Sequence, residues 1–344
     1  MSVVADPETS TQDSAPNRPS TRQVVLTILE RYALVAILGL LCLFFSVYHS
    51  TREVFPSAAN WRGIVGNETV VAVAALALVL PLVCNQFDLS VGSIVGISCI
   101  ASTAAMARFH LHPVIAIIIG IGLGGVIGFV NGFIVARLGV NSLIATLGTT
   151  SLIAGMVSLY TKDQVIGSEV GAVPEGFTSF GSKLWLGVPR VTFAVIVIAL
   201  IVYYVQQHTP YGRYLASVGA SPTSARLVGL RVENLMLSSF VASGLLAGFG
   251  GVLLLCRAGT ANPQVGPGYT LAALSAAFLG ATTIRPGRFN VLGTILGVLF
   301  VAVSVNGLVL AGSADWVEPT FDGAALVIAV SISLFIARRR AGRT

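Results

Sequence analysis

The residue with the clearest chemical potential is Asp88, a carboxylate between two stretches that carry no charge, residues 69–87 and 89–107. An ionisable side chain at such a place needs a physical reason. One reason is capping, in which Asp88 or Ser90 accepts hydrogen bonds from the free N–H groups that open the next helix. The other is a polar break in the helices that lines a transport pathway. The two roles are compatible, and the sequence leaves both open.

Asn131 and Asn306 are polar residues inside otherwise apolar stretches, and they pose a similar choice. Each could form hydrogen bonds between helices or contact a polar substrate. They occupy matching positions in two similar segments, Phe-Val-Asn-Gly-Phe-Ile-Val-Ala at 129–136 and Ser-Val-Asn-Gly-Leu-Val-Leu-Ala at 304–311. This echo indicates an internal repeat, with chance similarity between two apolar helices as the competing explanation.

Motifs for catalysis are absent from the sequence. There is no Gly-x4-Gly-Lys-Ser/Thr phosphate loop, and the only lysines, Lys162 and Lys183, follow no such pattern. There is no His-Glu-x-x-His motif, and His110 and His112 are a weak metal pair. Close helix packing explains Ser243 and its neighbouring glycines better than the active site of an intramembrane serine protease does. The sequence therefore predicts no catalytic site and no metal or cofactor bound by this chain.

The composition requires a lipid environment. The 344 residues are 55% hydrophobic and 10% charged, against about 25% charge in a typical soluble domain. A soluble enzyme is thereby excluded. The four cysteines fit neither a zinc site nor a disulfide framework, so we interpret them as small core residues. The net charge of +6 reflects the sidedness of a membrane protein rather than a nucleic-acid partner.

Charge-free stretches long enough to cross a bilayer recur along the chain and predict about ten transmembrane helices, with nine or eleven as alternatives. The expected fold is an all-α integral membrane protein, and the echo above indicates two inverted five-helix repeats. The stretches are 32–51, 69–87, 89–107, 113–136, 138–161, 191–207, 234–256, 258–284, 289–314 and 323–337.

Charge and composition also predict the domain limits and the orientation. Residues 1–23 lack an apolar run and are expected to be a disordered tail, followed by a transmembrane domain over 24–340 and a C-terminal tail at 341–344. If the chain has ten spans and its N-terminus is in the cytoplasm, 13 of the 20 Lys and Arg residues lie on the cytoplasmic side of the membrane. All three tryptophans then fall at outer ends. Both termini are predicted to be cytoplasmic.

Two long loops separate the predicted spans. Residues 162–190 fall outside, and a short helix is expected around Glu175–Phe180. Residues 208–233 fall inside and predict a short helix with Ser221 as N-cap, Pro222 as first residue and Gly229 as its stop. Such a helix could rest on the membrane or contact a cytoplasmic partner, and composition alone favours neither.

Four regions, three of them made of two separate stretches, carry motifs that occur together in one family. They are Asp-Leu-Ser-Val-Gly-Ser at 88–93, Asn-Gly at 131–132 with Leu-Gly-Val-Asn-Ser-Leu-Ile-Ala-Thr-Leu-Gly-Thr at 138–149, Thr-Pro-Tyr-Gly-Arg at 209–213 with Ala-Arg-Leu-Val-Gly-Leu at 225–230, and Gly-Pro-Gly-Tyr-Thr-Leu at 266–271 with Ala-Ala-Phe-Leu-Gly at 276–280. Over residues 30–338 the chain resembles the permease subunit of bacterial ABC sugar importers of the ribose/xylose class, in the branched-chain-type permease superfamily.

The chain departs from that family's pattern in three places. Asn85 and Gln86 replace two glycines, Thr270 stands where glutamate is common, and Arg-Pro-Gly-Arg at 285–288 replaces a glycine-rich turn. The fold assignment is unaffected, but no sugar specificity is carried over. Pentoses, hexoses, polyols and sugar-derived signals all remain candidates.

The resemblance implies an importer in the bacterial plasma membrane that is built from several chains. Two permease chains, identical or related, would pair within the membrane lipid. Two ABC ATPase subunits would use ATP and Mg²⁺ in the cytoplasm, which agrees with the missing phosphate loop. An extracytoplasmic sugar-binding protein would deliver the substrate.

The resemblance also assigns expected roles to residues. Asp88, Ser90, Asn131 and Asn306 would line the translocation pathway or form a helix break, and Glu169, Glu175 and Lys183 would contact the binding protein. The ATPase-docking face is expected to present Ala225 and Gly229, four residues apart, beside Leu227 and Val228. The residues expected to couple to the ATPase are Ser217, Gly219, Ser221, Pro222, Ala225, Arg226, Leu227 and Gly229.

Other transport functions compete with this interpretation. A permease for branched-chain amino acids or nucleosides belongs to the same superfamily, although the Asp-Leu-Ser-Val-Gly motif favours the sugar class. An ATP-independent secondary transporter would more often carry paired charges within the membrane, and here only Asp88 is available.

Overall fold

The computed structural model describes residues 21–169, 171–314 and 316–341, and it describes side chains only between positions 31 and 331. The described chain is almost entirely helical. Its helices are α1 (Thr21–Val47), α2 (Ala58–Asn67), α3 (Thr69–Val83), α4 (Val91–Ala107), α5 (Pro113–Ala136), α6 (Ser142–Thr161), α7 (Glu175–Ser182), α8 (Arg190–His208), α9 (Pro210–Ala220), α10 (Pro222–Leu227), α11 (Val232–Ala258), α12 (Gly266–Gly280), α13 (Val291–Leu310) and α14 (Val317–Ala341). Strands β1 (Leu184–Trp185) and β2 (Val188–Pro189) pair as a small antiparallel hairpin.

One long helix lies within or across each of the ten charge-free stretches, which makes the chain a multi-pass helical bundle. By length and composition, five helices of the described residues could cross a membrane, namely α5, α6, α8, α11 and α13. The pair α2 and α3, bent by 41°, adds a sixth if it forms one span. The count of ten spans therefore stays a prediction. Of the two predicted tails, only residues 21–23, where α1 begins, and Ala341, where α14 ends, fall within the described residues.

The helices run between two ends of the bundle, which are defined by contacts between distant loops. At the hairpin end, Arg62 Nε donates to the Gly187 carbonyl at 2.8 Å, and residues 166 and 261 form a β-bridge. At the opposite end, here called the α10 end, Gln206 Nε2 donates to the Phe289 carbonyl at 2.8 Å. Helix α7 lies at the hairpin end, and both short helices predicted from the sequence, α7 and α10, are confirmed.

The centre of the bundle is α11, which packs closely against α5 because both helices present glycines at the contact. A methyl group at Gly124 would overlap the Gly244 carbonyl and lie 2.9 Å from the Gly248 Cα. Small residues allow such close backbone approach in membrane bundles. The predicted packing role of the glycines near Ser243 is therefore confirmed.

Gly124→Ala is expected to destabilise the purified chain by about 1–3 kcal/mol, the usual cost of overpacking a filled interface. The matched control is Gly122→Ala in the same helix, where an added methyl group meets nothing within 4 Å. The measurement is the thermal unfolding midpoint in detergent. Equal midpoints for the two variants would contradict the close contact between α5 and α11.

Candidate functional site

A non-helical segment interrupts the bundle between α3 and α4, and we call residues 84–90 the polar break. Its backbone is held by hydroxyl groups from one face of α6. Phe87 N–H donates to Ser142 Oγ at 3.2 Å, and Leu89 N–H donates to Thr146 Oγ1 at 3.1 Å. Thr150 Oγ1 donates to the Leu89 carbonyl at 3.1 Å. Residues 142, 146 and 150 are four apart, so they share one helix face, and they satisfy backbone groups that have no helical partner.

Asp88 is the centre of a buried hydrogen-bond network inside the polar break. Its side chain is fully buried. Asp88 Oδ1 accepts from Ser90 N–H at 3.1 Å and from Ser90 Oγ at 2.6 Å, and Oδ2 accepts from Ser243 Oγ at 2.9 Å. Ser90 Oγ in turn accepts from Asn131 Nδ2 at 2.9 Å, and Asn131 Oδ1 accepts from Thr149 Oγ1 at 2.6 Å. The network thus joins the break to α5, α6 and α11.

The start of α4 uses two acceptors rather than one. Asp88 Oδ1 accepts a hydrogen bond from Ser90 N–H, and Thr270 Oγ1 accepts one from Gly92 N–H at 3.0 Å. Ser90 is the N-cap residue by position, but its hydroxyl makes no capping bond. Capping by Asp88 is therefore present, and the carboxylate is enclosed rather than facing a cavity. Thr270, a departure from the family pattern, supplies the second cap.

A cavity of about 430 Å³ adjoins the polar break at the α10 end. Asn85 and Gln86 line it together with Asn141 and Ser142 at the start of α6. The amide side chains that replace the family's two glycines are thus the ones placed at an open space. Asp88, Ser90 and Asn131 lie behind them in the protein interior.

Asn306 does not join this network. It lines a different cavity, toward the hairpin end, together with Glu68, Glu318 and Asp322. Asn306 Oδ1 is buried and has no hydrogen-bond partner among the residues whose side chains are described. The two asparagines of the sequence echo therefore have different surroundings.

The local structure of α10 agrees with the sequence prediction. Ser221 Oγ accepts from Ser224 N–H at 3.2 Å, as an N-cap does. The helix ends in a Schellman arrangement, in which Gly229 N–H donates to the Arg226 carbonyl at 2.9 Å and Leu230 N–H donates to the Ala225 carbonyl at 3.0 Å. Gly229 has φ of +84°, which explains why glycine stands there.

Ala225 was predicted to lie on the outward docking face of α10, and this prediction is wrong. Its side chain is 3% exposed and packs among Leu215, Val218 and other apolar residues of its own chain. A small residue permits close packing against a partner protein or against its own chain. Here Ala225 packs against α9 and α11 of its own chain. The outward face presents Leu227 and Val228, which are 84% and 75% exposed.

Gly219 also serves packing within the chain, because a Cβ there would overlap the Val83 carbonyl at the end of α3. Tyr211, on α9, forms a hydrogen bond of 2.9 Å with Ser238 Oγ, and burial raises the pKa of its phenol above the ordinary value. Helix α9 is thus fixed against both α3 and α11.

The remaining predicted contact residues lie on the surface. Glu169, Glu175 and Lys183 are exposed at the hairpin end, and Ser217 and Pro222 are exposed at the α10 end. Arg226 forms an exposed ion pair with Glu233 at 2.6 Å. Among the residues that hold the polar break and the start of α4, the sequence reasoning missed Ser243, Thr270 and the hydroxyl face of α6. The spacing of four between residues 142, 146 and 150 was the signal that could have revealed that face.

A multi-pass helical bundle with a hydrogen-bonded break in its interior is an arrangement found among membrane transport proteins. The family described as the permease component of branched-chain amino acid transport systems matches residues 62–330, and the chain belongs to this family.

Individual relatives span most of the chain. The ribose import permease protein RbsC of Escherichia coli (strain K12) is 28% identical over 305 residues, which cover 89% of this chain and 94% of the relative. The fructose import permease protein FrcC of Rhizobium meliloti is 29% identical over 286 residues, 82% of this chain and 79% of the relative. The L-arabinose ABC transporter permease protein AraH of Azospirillum brasilense is 29% identical over 333 residues, 96% of each. No solved structure matches the chain.

Proposed function

We propose that the chain is the membrane-spanning permease subunit of an ATP-driven, binding-protein-dependent importer of a monosaccharide or related polyol. The observation that carries the proposal is the similarity to two import permeases, for ribose and fructose, and to an L-arabinose ABC transporter permease, each matched over at least 79% of its length. The chain itself binds no cofactor in this proposal. ATP and Mg²⁺ belong to a separate ATPase subunit.

The architecture in this proposal has ten spans in two inverted repeats of five. Equivalent helices make equivalent contacts, which supports it: α5 packs on α11 as α13 packs on α3, and α4 packs on α5 as α12 packs on α13. Opposite orientation of the two halves fits the positions of Asn131 toward the α10 end and Asn306 toward the hairpin end.

The proposed partners follow from the two ends of the bundle. The α10 end would face the cytoplasm and bind the ATPase, and the hairpin end would face outward and contact the sugar-binding protein through Glu169, Glu175 and Lys183. A second permease chain, identical or related, would complete the pathway within the lipid of the bacterial plasma membrane. The basic residues Arg213, Arg226 and Arg231, all near α10, support this orientation.

Contacts between α9 and the start of the polar break support coupling between α10 and the proposed pathway. Cys84 Sγ, at the start of the polar break, donates to the Leu215 carbonyl of α9 at 3.8 Å. Gly219 of the same helix lies against the Val83 carbonyl, and α9 leads directly into α10. A displacement of α10 by an ATPase would therefore reach the polar break through α9.

Uptake in cells tests the proposed function. A strain that lacks this chain should recover uptake of radiolabelled D-ribose, D-fructose, D-galactose or L-arabinose when the chain is supplied together with its cognate ATPase and binding protein. Purified chain alone should show no ATPase activity. Hydrolysis by the isolated chain, or no recovered uptake of any monosaccharide or polyol when the panel is extended beyond these four sugars, would contradict the proposal.

Transport of branched-chain amino acids is the second candidate, because the family description names that substrate. The same uptake experiment, repeated with labelled L-leucine, distinguishes an importer of sugars from an importer of branched-chain amino acids. Uptake of leucine without uptake of any sugar would favour the second.

The orientation predicts which of two exposed leucines is reachable from outside the cell. Leu186, on the hairpin, is 83% exposed, and Leu227, on α10, is 84% exposed. In a background without the four native cysteines, Leu186→Cys should react with an impermeant thiol reagent added to intact cells. Leu227→Cys should react only after the cells are opened. The reverse pattern would invert the topology.

A further inference from the structure

The cavity at the hairpin end has the size and the lining of a small-molecule site. Its volume is about 360 Å³, within the range of about 300–1,000 Å³ found for ligand pockets. Valine and alanine side chains from α3, α12 and α13 form most of its wall, and Tyr269 contributes an aromatic ring. A few polar groups converge on this apolar surface, which is the usual composition of a ligand pocket.

Two hydrogen-bond acceptors on this wall lack donors. Asp322 is 5% exposed, and its Oδ1 has no hydrogen-bond partner among the described side chains; the same is true of the buried Oδ1 of Asn306. Buried polar atoms without partners are uncommon, and each needs a physical explanation. Because both atoms line one cavity, a bound molecule that donates hydrogen bonds would satisfy both.

The contrast between the two echo asparagines strengthens this argument. Asn131 donates to Ser90 and accepts from Thr149, so its amide is satisfied by the protein. Among the described side chains, none donates to the amide oxygen of Asn306 as Thr149 donates to that of Asn131. Thr149 therefore fills the donor position at Asn131, and the equivalent position at Asn306 is open to a donor from a bound molecule.

The chemistry of the lining selects the class of ligand. The carboxyl oxygens of Glu68, Glu318 and Asp322 accept hydrogen bonds, so a ligand that carries several donors fits this lining. Among the described residues, no group of three His, Cys, Asp or Glu side chains lies close enough to hold a metal ion. A molecule with several hydroxyl groups and an apolar ring face fits the carboxyl and amide acceptors, the valines and the tyrosine together.

We propose that this cavity is a binding site for a monosaccharide, whose hydroxyl groups donate to Asp322 and Asn306. The inference rests on the proposed sugar-import function and names the place in this chain where the sugar is held near the hairpin end. Glu68, at the bend between α2 and α3, and Glu318, at the start of α14, lie where further hydroxyl groups would meet them.

Direct binding tests the site with the purified full-length chain in lipid nanodiscs. Ligand-observed NMR titrations with D-ribose, D-fructose, D-galactose and L-arabinose should reveal binding of at least one sugar. Asp322→Leu and Asn306→Leu each replace an acceptor with an apolar side chain of similar volume, and each should weaken that binding about tenfold or more, as loss of a hydrogen bond to a buried acceptor implies. Glu53→Gln is the matched control, because Glu53 is an exposed carboxylate outside the cavity, and it should bind as the unaltered chain does.

Thermal unfolding separates ligand binding from a structural role. Since the two acceptors have no donor to lose among the described side chains, Asp322→Leu and Asn306→Leu should leave the unfolding midpoint unchanged or raise it. Binding of no sugar by the unaltered chain, or equal binding by Asp322→Leu, would overturn the site. Uptake in cells reports separately on the proposed function: normal uptake with binding unaffected by Asp322→Leu contradicts this site alone, and absent uptake contradicts the importer.

Discussion

Asp88→Ala is expected to reduce uptake to background and to lower the thermal unfolding midpoint, while the chain still inserts into the membrane. The substitution leaves Ser90 N–H, Ser90 Oγ and Ser243 Oγ without their acceptor. Each buried donor that loses its acceptor costs about 1–3 kcal/mol. The helices that span the membrane keep their own backbone hydrogen bonds, so insertion should survive. Uptake, membrane abundance and the unfolding midpoint of the purified chain are the measurements.

Asp88→Asn distinguishes hydrogen bonding from charge. The asparagine oxygen can accept from Ser90, and its amide can donate to the Ser243 hydroxyl, so the network keeps its connections. We therefore expect a near-normal midpoint and substantial uptake. If Asp88→Asn is as inactive as Asp88→Ala while its midpoint is normal, the negative charge itself is required for transport, and the capping role is insufficient.

Leu227→Glu is expected to abolish co-purification of the ATPase subunit and uptake without changing the stability of the chain. Leu227 is 84% exposed on α10, and side chains so exposed can usually be replaced at little cost to folding. An apolar partner cleft would have to bury an unpaired carboxylate, which is strongly unfavourable. Affinity purification of the tagged chain, followed by quantification of the ATPase, measures the effect.

The matched control is Leu186→Glu, which changes an equally exposed leucine at the opposite end of the bundle. It should retain a full complement of ATPase. Ala225→Glu cannot serve as the test, because Ala225 is buried within its own chain and the variant would disturb α10 itself. Normal ATPase recovery with Leu227→Glu would exclude α10 as the docking element and direct attention to the loops at Arg137 and Arg285.

Local structure was largely predictable because its causes are local. Long apolar runs can satisfy their backbone in lipid only by forming helices, and every charge-free stretch contains one. The limits of α10 followed from Ser221, Pro222 and Gly229, whose side chains or backbone freedom act within a few residues. Position 88 was also recognisable, since a charge between two apolar runs stands out in any membrane sequence.

Partners across the bundle were not predictable from the sequence. Ser243 lies 155 positions from Asp88 and bonds to it, and Thr270 lies 178 positions from Gly92 and caps its N–H. Neither residue type differs from the many other serines and threonines of an apolar helix, because hydroxyl groups can also bond to their own helix backbone. Only the packing of α11 and α12 against the polar break gives these two their roles.

The sequence by itself determined that this chain is a helical membrane protein of the permease type and where its helices lie. The tertiary structure decided which face of each helix meets which neighbour. It buried Ala225 and exposed Leu227, and it satisfied Asn131 while leaving Asn306 facing a cavity. The physical reason is that an apolar helix in lipid has no strong amphipathic pattern, so the sequence carries little record of which side faces protein.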